Sequence, residues 1–302
     1  MNAISRRCLL HAAGAAPLAA QTQPPRETYE TNVRGIRIVP GQWRPEYPWE
    51  HIAWVSPPWP THDYIWLDLP EAIFTNQGLL YLSHLNPAAP SLYTDLPPIA
   101  WRKTANGIDF ERRLPNGVRF GASVGRQGET AAALGLYLQN GTKQPLRNIT
   151  LQTCAFLRAI REFADYTKAN KYVHLPKSGW TAFSNSMPKD ESGPYRVGWR
   201  RSGAPVADLP VMVTISNRAT RLVAMTWHAD TLSMVSNPEH PCFHADPHFK
   251  DLQPGESASV RGHLIFFEGK LEDFDFAKQT VALVNSHRSR VPGAAAHTPS
   301  LA

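Results

Sequence analysis

The chain has 302 residues, of which 42% are hydrophobic and 19% charged, and a formal net charge of +6. That mild basicity comes without a long Lys/Arg run or a nucleic-acid-binding motif, which argues against a nucleic-acid partner. No stretch is long and apolar enough to span a membrane, and a chain of this length accommodates one large β domain or two smaller ones.

The chain begins MNAISRRCLLHAAGAAPLAAQ. Arg6 and Arg7 precede a short, weakly apolar, alanine-rich segment, and Leu18-Ala19-Ala20 is a permissible cleavage site. Residues 1–20 therefore read as an export signal. Ser5-Arg6-Arg7-Cys8-Leu9-Leu10 fits the twin-arginine pattern; the alternative is an ordinary secretory signal that happens to carry two arginines. The expected location is periplasmic or secreted. Residues 21–32 are expected to be a flexible leader, 33–289 a single β-sandwich domain and 290–302 a flexible tail. Cys8 leaves with the signal. Cys154 and Cys242 remain, able to pair in an oxidising compartment or to stay as buried thiols.

Residues 41–70 hold Trp43, Trp49, Trp54, Trp59 and Trp66, five of the nine tryptophans. The prolines between them mark an irregular or edge segment. Such an aromatic surface stacks on sugar rings, with Trp59 and His62 as candidate contacts. The alternative is that the tryptophans cover one end of a core.

Short β-type runs follow, among them GIDFERRL, GVRFGASV, AALGLYLQN, NITLQTCAFL, VMVTISN and RLVAMTWHA. Turn signals such as Asn106-Gly107 and Asn140-Gly141 separate them. Leu134, Leu136 and Leu138 alternate with polar or small residues, as do Ile149, Leu151 and Thr153, which is the half-buried antiparallel pattern. Helix is expected only over 156–167 and 272–287. The fold class is therefore mainly β, a large antiparallel β-sandwich of jelly-roll or supersandwich type with a few short helices.

Three later stretches carry chemistry. Tyr195-Arg196-Val197-Gly198-Trp199-Arg200 places arginines beside an indole, so Trp199 and Arg200 are candidates to hold a uronate carboxylate or a sulfate. Trp227-His228-Ala229-Asp230 ends a strand, with Trp227 as a substrate contact. HPCFHADPHFKDL, from His240, repeats the His-Ala-Asp triplet. Pro241 and Pro247 rule out helix there. In an extended chain His244, Asp246 and His248 share a face, as a divalent-metal set would. Alternatively His244 is a general base or acid oriented by Asp246, with His228 as the opposite partner. The bland reading is a surface loop whose histidines cap turns, with His228 satisfied within the sheet. No GxSxG elbow, P-loop or HExxH is present. No carboxylate pair at a glycosidase separation can be picked out, and Cys154 lies in an apolar strand, which argues against a reactive thiol.

LPNGVRFGASV, LQNGTKQPLRNITLQTC and PCFHADPHFKDLQPGESASVRGHLIFFEG resemble a group of exported bacterial β-sandwich proteins of no established function. The resemblance covers most of residues 40–270. It implies that the turn around Cys242 to Pro247 is a family feature and assigns no catalytic residue. The PGE turn before the last strand is also similar to that of galactose-mutarotase-type supersandwich proteins, which implies a catalytic His and Glu; no Glu of this chain is assigned to that role. The expected function is an exported carbohydrate-active enzyme of epimerase or lyase type acting on a saccharide or acidic polysaccharide. A non-catalytic carbohydrate-binding protein and a metal-dependent oxidoreductase or hydrolase are the alternatives.

Overall fold

The computed structural model describes residues 33–86, 89–167, 169–184, 193–198, 205–237 and 240–288. The export signal, leader and tail expected from the sequence lie outside these residues, as do Trp199 and Arg200.

Two nine-stranded sheets form among the described residues. The first runs Ile38–Gly41, Ile52–Val55, Ile65–Thr75, Thr150–Phe156, Cys242–Pro247, Thr231–Val235, Tyr195–Val197 and Val206–Ala207, with Gly78–Leu82 also paired to Ile65–Thr75. The second centres on Arg221–Thr226, Ser257–Glu268, Ala131–Gln139 and Arg119–Gln127. Neighbouring strands pair antiparallel, except that Tyr195–Val197 runs parallel to Thr231–Val235.

The core lies between the sheets. Leu67, Leu151 and Phe243 from the first pack in one buried cluster with Phe120, Leu136 and Leu264 from the second. The alternation read from the sequence is the cause: Leu134, Leu136 and Leu138 are buried while their strand neighbours are half-exposed. The helix Phe276–Arg288 covers the outer face of the second sheet, where Phe274 and Leu283 join Val213, Leu222 and Ile265. The predicted C-terminal helix is thus present.

The predicted helix over 156–167 is not. Phe156 ends a strand, and the Leu157 N–H donates to Pro241 O. Ile160 N then bonds Leu157 O, and Phe163 N bonds Ile160 O. Apolar residues three apart serve consecutive turns here, burying Leu157, Ile160 and Phe163 without an i→i+4 ladder. Conversely, Cys242–Pro247 is a strand whose limits fit its prolines: Pro241 precedes it and Pro247 closes it.

His51 shows what the core demands of a polar side chain. Its ring stacks on Phe110 at 3.8 Å and its Nε2 lies 3.1 Å from Ile99 O. Burial, helped by the nearby Arg112 cation, pushes its pKa down to about 3. The folded chain thus leaves His51 neutral where the unfolded chain protonates it near its ordinary value, about 6.5. Its contribution is present above that value and is lost as pH falls toward the folded one. His51→Phe is expected to remove about 2–3 kcal/mol of the stability difference between about pH 7 and about pH 4.5, read by urea unfolding. An unchanged difference would contradict this assignment.

Candidate functional site

Three adjacent strands of the first sheet build the site. Asp68 pairs opposite Cys154, Trp66 opposite Phe156, and Cys242 also opposite Phe156. Alternation then puts Cys242, His244 and Asp246 on the face that carries Cys154 and Phe156. Counted along an unbroken strand, Glu71 would lie on the face opposite Asp68. It lies instead in the irregular segment between Asp68 and Ala72, where its side chain turns to the cavity, a re-aiming typical of bulges beside functional sites. The irregularity also accommodates Pro70 in an interior strand. Of these groups, Glu71, Cys154, Phe156, Cys242, His244 and Asp246 line a cavity of about 580 Å³, together with Trp43, Arg44, His84, Arg196 and His240.

His244 is the hub of this cavity and is only 2% exposed. Its Nε2 faces Cys242 Sγ at 3.5 Å. Its Nδ1 lies 3.8 Å from Glu71 Oε2 and 3.8 Å from Asp246 Oδ1. Asp246 Oδ1 also accepts from Thr153 N at 2.9 Å. Glu71 Oε2 and Asp68 Oδ1 are buried with no hydrogen-bond partner among the described residues. One wall is a second charged group. Glu50 accepts from Arg44 Nε at 2.6 Å and from the Trp43 and Arg44 backbone N–H groups. Arg44 also reaches Asp68 Oδ2 at 3.5 Å, and that oxygen accepts from Ser83 Oγ at 2.5 Å. The Arg44 guanidinium sits 4.0 Å over the Trp43 ring, which stacks on Phe156 at 4.5 Å.

Burial dominates the electrostatics. It pushes Asp246 up to about 7 against the pull of His244, and it raises Glu71, also against His244. Asp68 is raised well above its ordinary value by burial and by the charges of Glu71 and Glu50. Burial works against a charged His244, but the Cys242 sulfur, Asp246 and Glu71 outweigh it and push the imidazole up to about 10. Cys242 is held low by a hydrogen bond from Cys154 and by the His244 charge, and Cys154 is correspondingly raised. Both cysteines are free thiols.

Of the residues singled out in the sequence, His244 and Asp246 meet in this cavity. His228 is not among the groups lining it. It opens a short turn with φ 53°, its Nε2 bonds His263 Nδ1 at 2.7 Å, and its ring stacks on Phe276. Its imidazole pKa is lowered by burial. The expected His228–His244 pair is therefore replaced by His228–His263 and His244–Glu71. His248 lies beyond Pro247, exposed, with Nδ1 3.1 Å from Asp230 O, so the expected His244–Asp246–His248 metal set does not converge. Trp59 is 3% exposed and packs on Phe163 and Phe266, while Trp227 is fully buried with Nε1 3.4 Å from Thr153 Oγ1. Neither presents a face to a sugar, and Trp227→Phe is expected to cost about 1–3 kcal/mol in denaturant unfolding while leaving ligand affinity unchanged. His62 is exposed and away from the cavity lining.

Sequence reasoning missed Glu71, Cys154, Cys242 and Arg44 as site residues, and reached Trp43 only as part of the tryptophan-rich stretch. The one available signal was Pro70 inside a strand-like run, which marks a bulge and a change of face. Two sets of side chains here have the composition of metal ligands. The donor atoms of Cys154, Cys242 and His244 lie within 4.8 Å of one another, as do those of Asp68, Glu71 and His84.

No protein-family model matches the sequence, and no curated protein matches it. Among solved structures the chain is similar to an Escherichia coli K12 protein provisionally described as an aldose 1-epimerase. The two share 11% identity and a TM-score of 0.39 over 78% of this chain and 100% of that one. It is also similar to a GalM/aldose epimerase homologue from C. elegans, at 8% identity and a TM-score of 0.30, over 67% of this chain and 79% of that one. The descriptions of both neighbours name aldose epimerases, the type named by the second sequence resemblance.

Proposed function

We propose that this chain is an exported carbohydrate-active enzyme of epimerase or lyase type, in which Glu71 and Asp246 move a proton at a sugar carbon. The observation that carries it is the meeting of two carboxyl groups, Asp246 buried and Glu71 largely so, at one imidazole nitrogen in a cavity with an aromatic wall. Both His244 nitrogens face protein groups, Nε2 toward Cys242 and Nδ1 toward the carboxyls. His244 is thus the positioning residue, and the carboxyls are the groups that reach substrate. Trp43 and Phe156, stacked on each other, supply the aromatic part of the cavity wall.

The chemistry requires a carbon next to a carbonyl or carboxyl group. One carboxylate removes its proton, and the electron pair moves onto the neighbouring oxygen as an enediolate. In an epimerase the other carboxyl returns a proton to the opposite face. In a lyase the electron pair expels the oxygen at the next carbon, a C=C bond forms, and the second carboxyl protonates the leaving oxygen. Carboxyls raised toward neutrality suit both halves of such a transfer.

A panel of aldoses, uronic acids and oligouronides, followed by proton NMR and by absorbance of unsaturated products, tests the proposal. New sugar signals with the wild type and their loss in Asp246→Asn are expected. Saturable binding with no conversion of any member would leave a carbohydrate-binding protein instead.

A further inference from the structure

Cys154, Cys242 and His244 are 6%, 2% and 2% exposed, and all three line the cavity wall. Their donor atoms lie within 4.8 Å of one another, and Cys242 Sγ is 3.5 Å from His244 Nε2. A tetrahedral zinc with Zn–S of about 2.3 Å and Zn–N of about 2.0–2.1 Å has S···N edges of about 3.5 Å and S···S edges of about 3.8 Å. The Cys242–His244 separation is thus the one a zinc ion imposes, and the other two separations lie within 4.8 Å.

We infer that Cys154, Cys242 and His244 form a three-ligand site for a thiophilic divalent cation of the zinc class, with its fourth position open to the cavity. Three protein ligands and one open position are the arrangement of a reactive zinc, whereas structural zinc is closed by four. Soft thiolates select such an ion over magnesium or calcium. Two thiolates balance its charge in a buried setting, where an unpaired charge is costly. The remaining His244 nitrogen faces Glu71 and Asp246, placed as the outer carboxylates that orient ligating imidazoles. Ligation through Nε2 also keeps that nitrogen from the sugar. The site goes beyond the proposed function. Only its use in catalysis rests on that reading, as the ion would polarise a sugar oxygen bound at the open position.

The test is titration of the full chain with Co²⁺, purified under reducing conditions and freed of metal by dialysis. One equivalent should bind with thiolate-to-cobalt charge-transfer absorbance and the strong visible bands of tetrahedral cobalt, both lost on adding Zn²⁺. Cys242→Ser and Cys154→Ser, checked for folding by circular dichroism, should each lose roughly half of the charge-transfer intensity, one of two thiolates being removed. Should the variants not fold, the wild-type spectrum decides alone. Binding without charge transfer, as oxygen and nitrogen donors at Asp68, Glu71 and His84 would give, overturns the inference, and so does no binding. No sugar enters the assay, so a thiolate spectrum beside a silent sugar panel would overturn the proposed function and leave this site standing.

Discussion

Glu71→Gln is expected to lower turnover of the cognate sugar by about 10²–10⁴-fold, the range for a lost general acid or base. The amide keeps the shape of the side chain but cannot take or give a proton. Folding should be little affected, because burial already disfavours the charged form of this carboxyl. The loss should fall on kcat, with KM nearly unchanged, since the interaction is one made in the transition state. The measurement is initial rates across substrate concentration, with urea unfolding as the control. A KM increase alone would make Glu71 a binding group.

Arg44→Met is expected to destabilise the fold by about 3–5 kcal/mol, the cost of removing one partner of a buried charge pair. Glu50 has a fully buried side chain and accepts both side-chain and backbone bonds around Arg44. Asp68, only slightly exposed, would lose the pull of a nearby cation. The methionine stem would keep much of the packing while leaving the Glu50 carboxylate uncompensated. Arg44 also covers the Trp43 ring, so the aromatic wall of the cavity should loosen. Denaturant unfolding at neutral pH reads the first effect. The double variant Arg44→Met/Glu50→Leu should recover part of the loss, because it removes the stranded charge together with its partner. No recovery would show that packing, not charge, accounts for the cost.

Much of the fold was legible because alternation has one cause and one outcome. Leu134, Leu136 and Leu138 could only face a core, and they do. The site was half legible by the same rule. Even spacing put His244 and Asp246 on one face of an extended segment, and it brought Cys242 with them. What failed were changes of face and direction that alternation does not encode. Glu71 reaches the cavity only through the shift around Pro70. His228 leaves it because the chain turns at positive φ after Trp227, although its triplet matches the one at His244. His248 is lost at the proline that ends the strand. The tryptophans split by burial: Trp49 and Trp59 fill the core, and Trp43 lines the cavity.

Solvent-deuterium incorporation tests the central claim most directly. The wild-type protein, acting in D₂O on the sugar it converts, should place deuterium at the carbon beside the carbonyl or carboxyl group. Glu71→Gln should do so far more slowly. Conversion that leaves every C–H bond of the sugar intact would contradict proton transfer by Glu71 and Asp246.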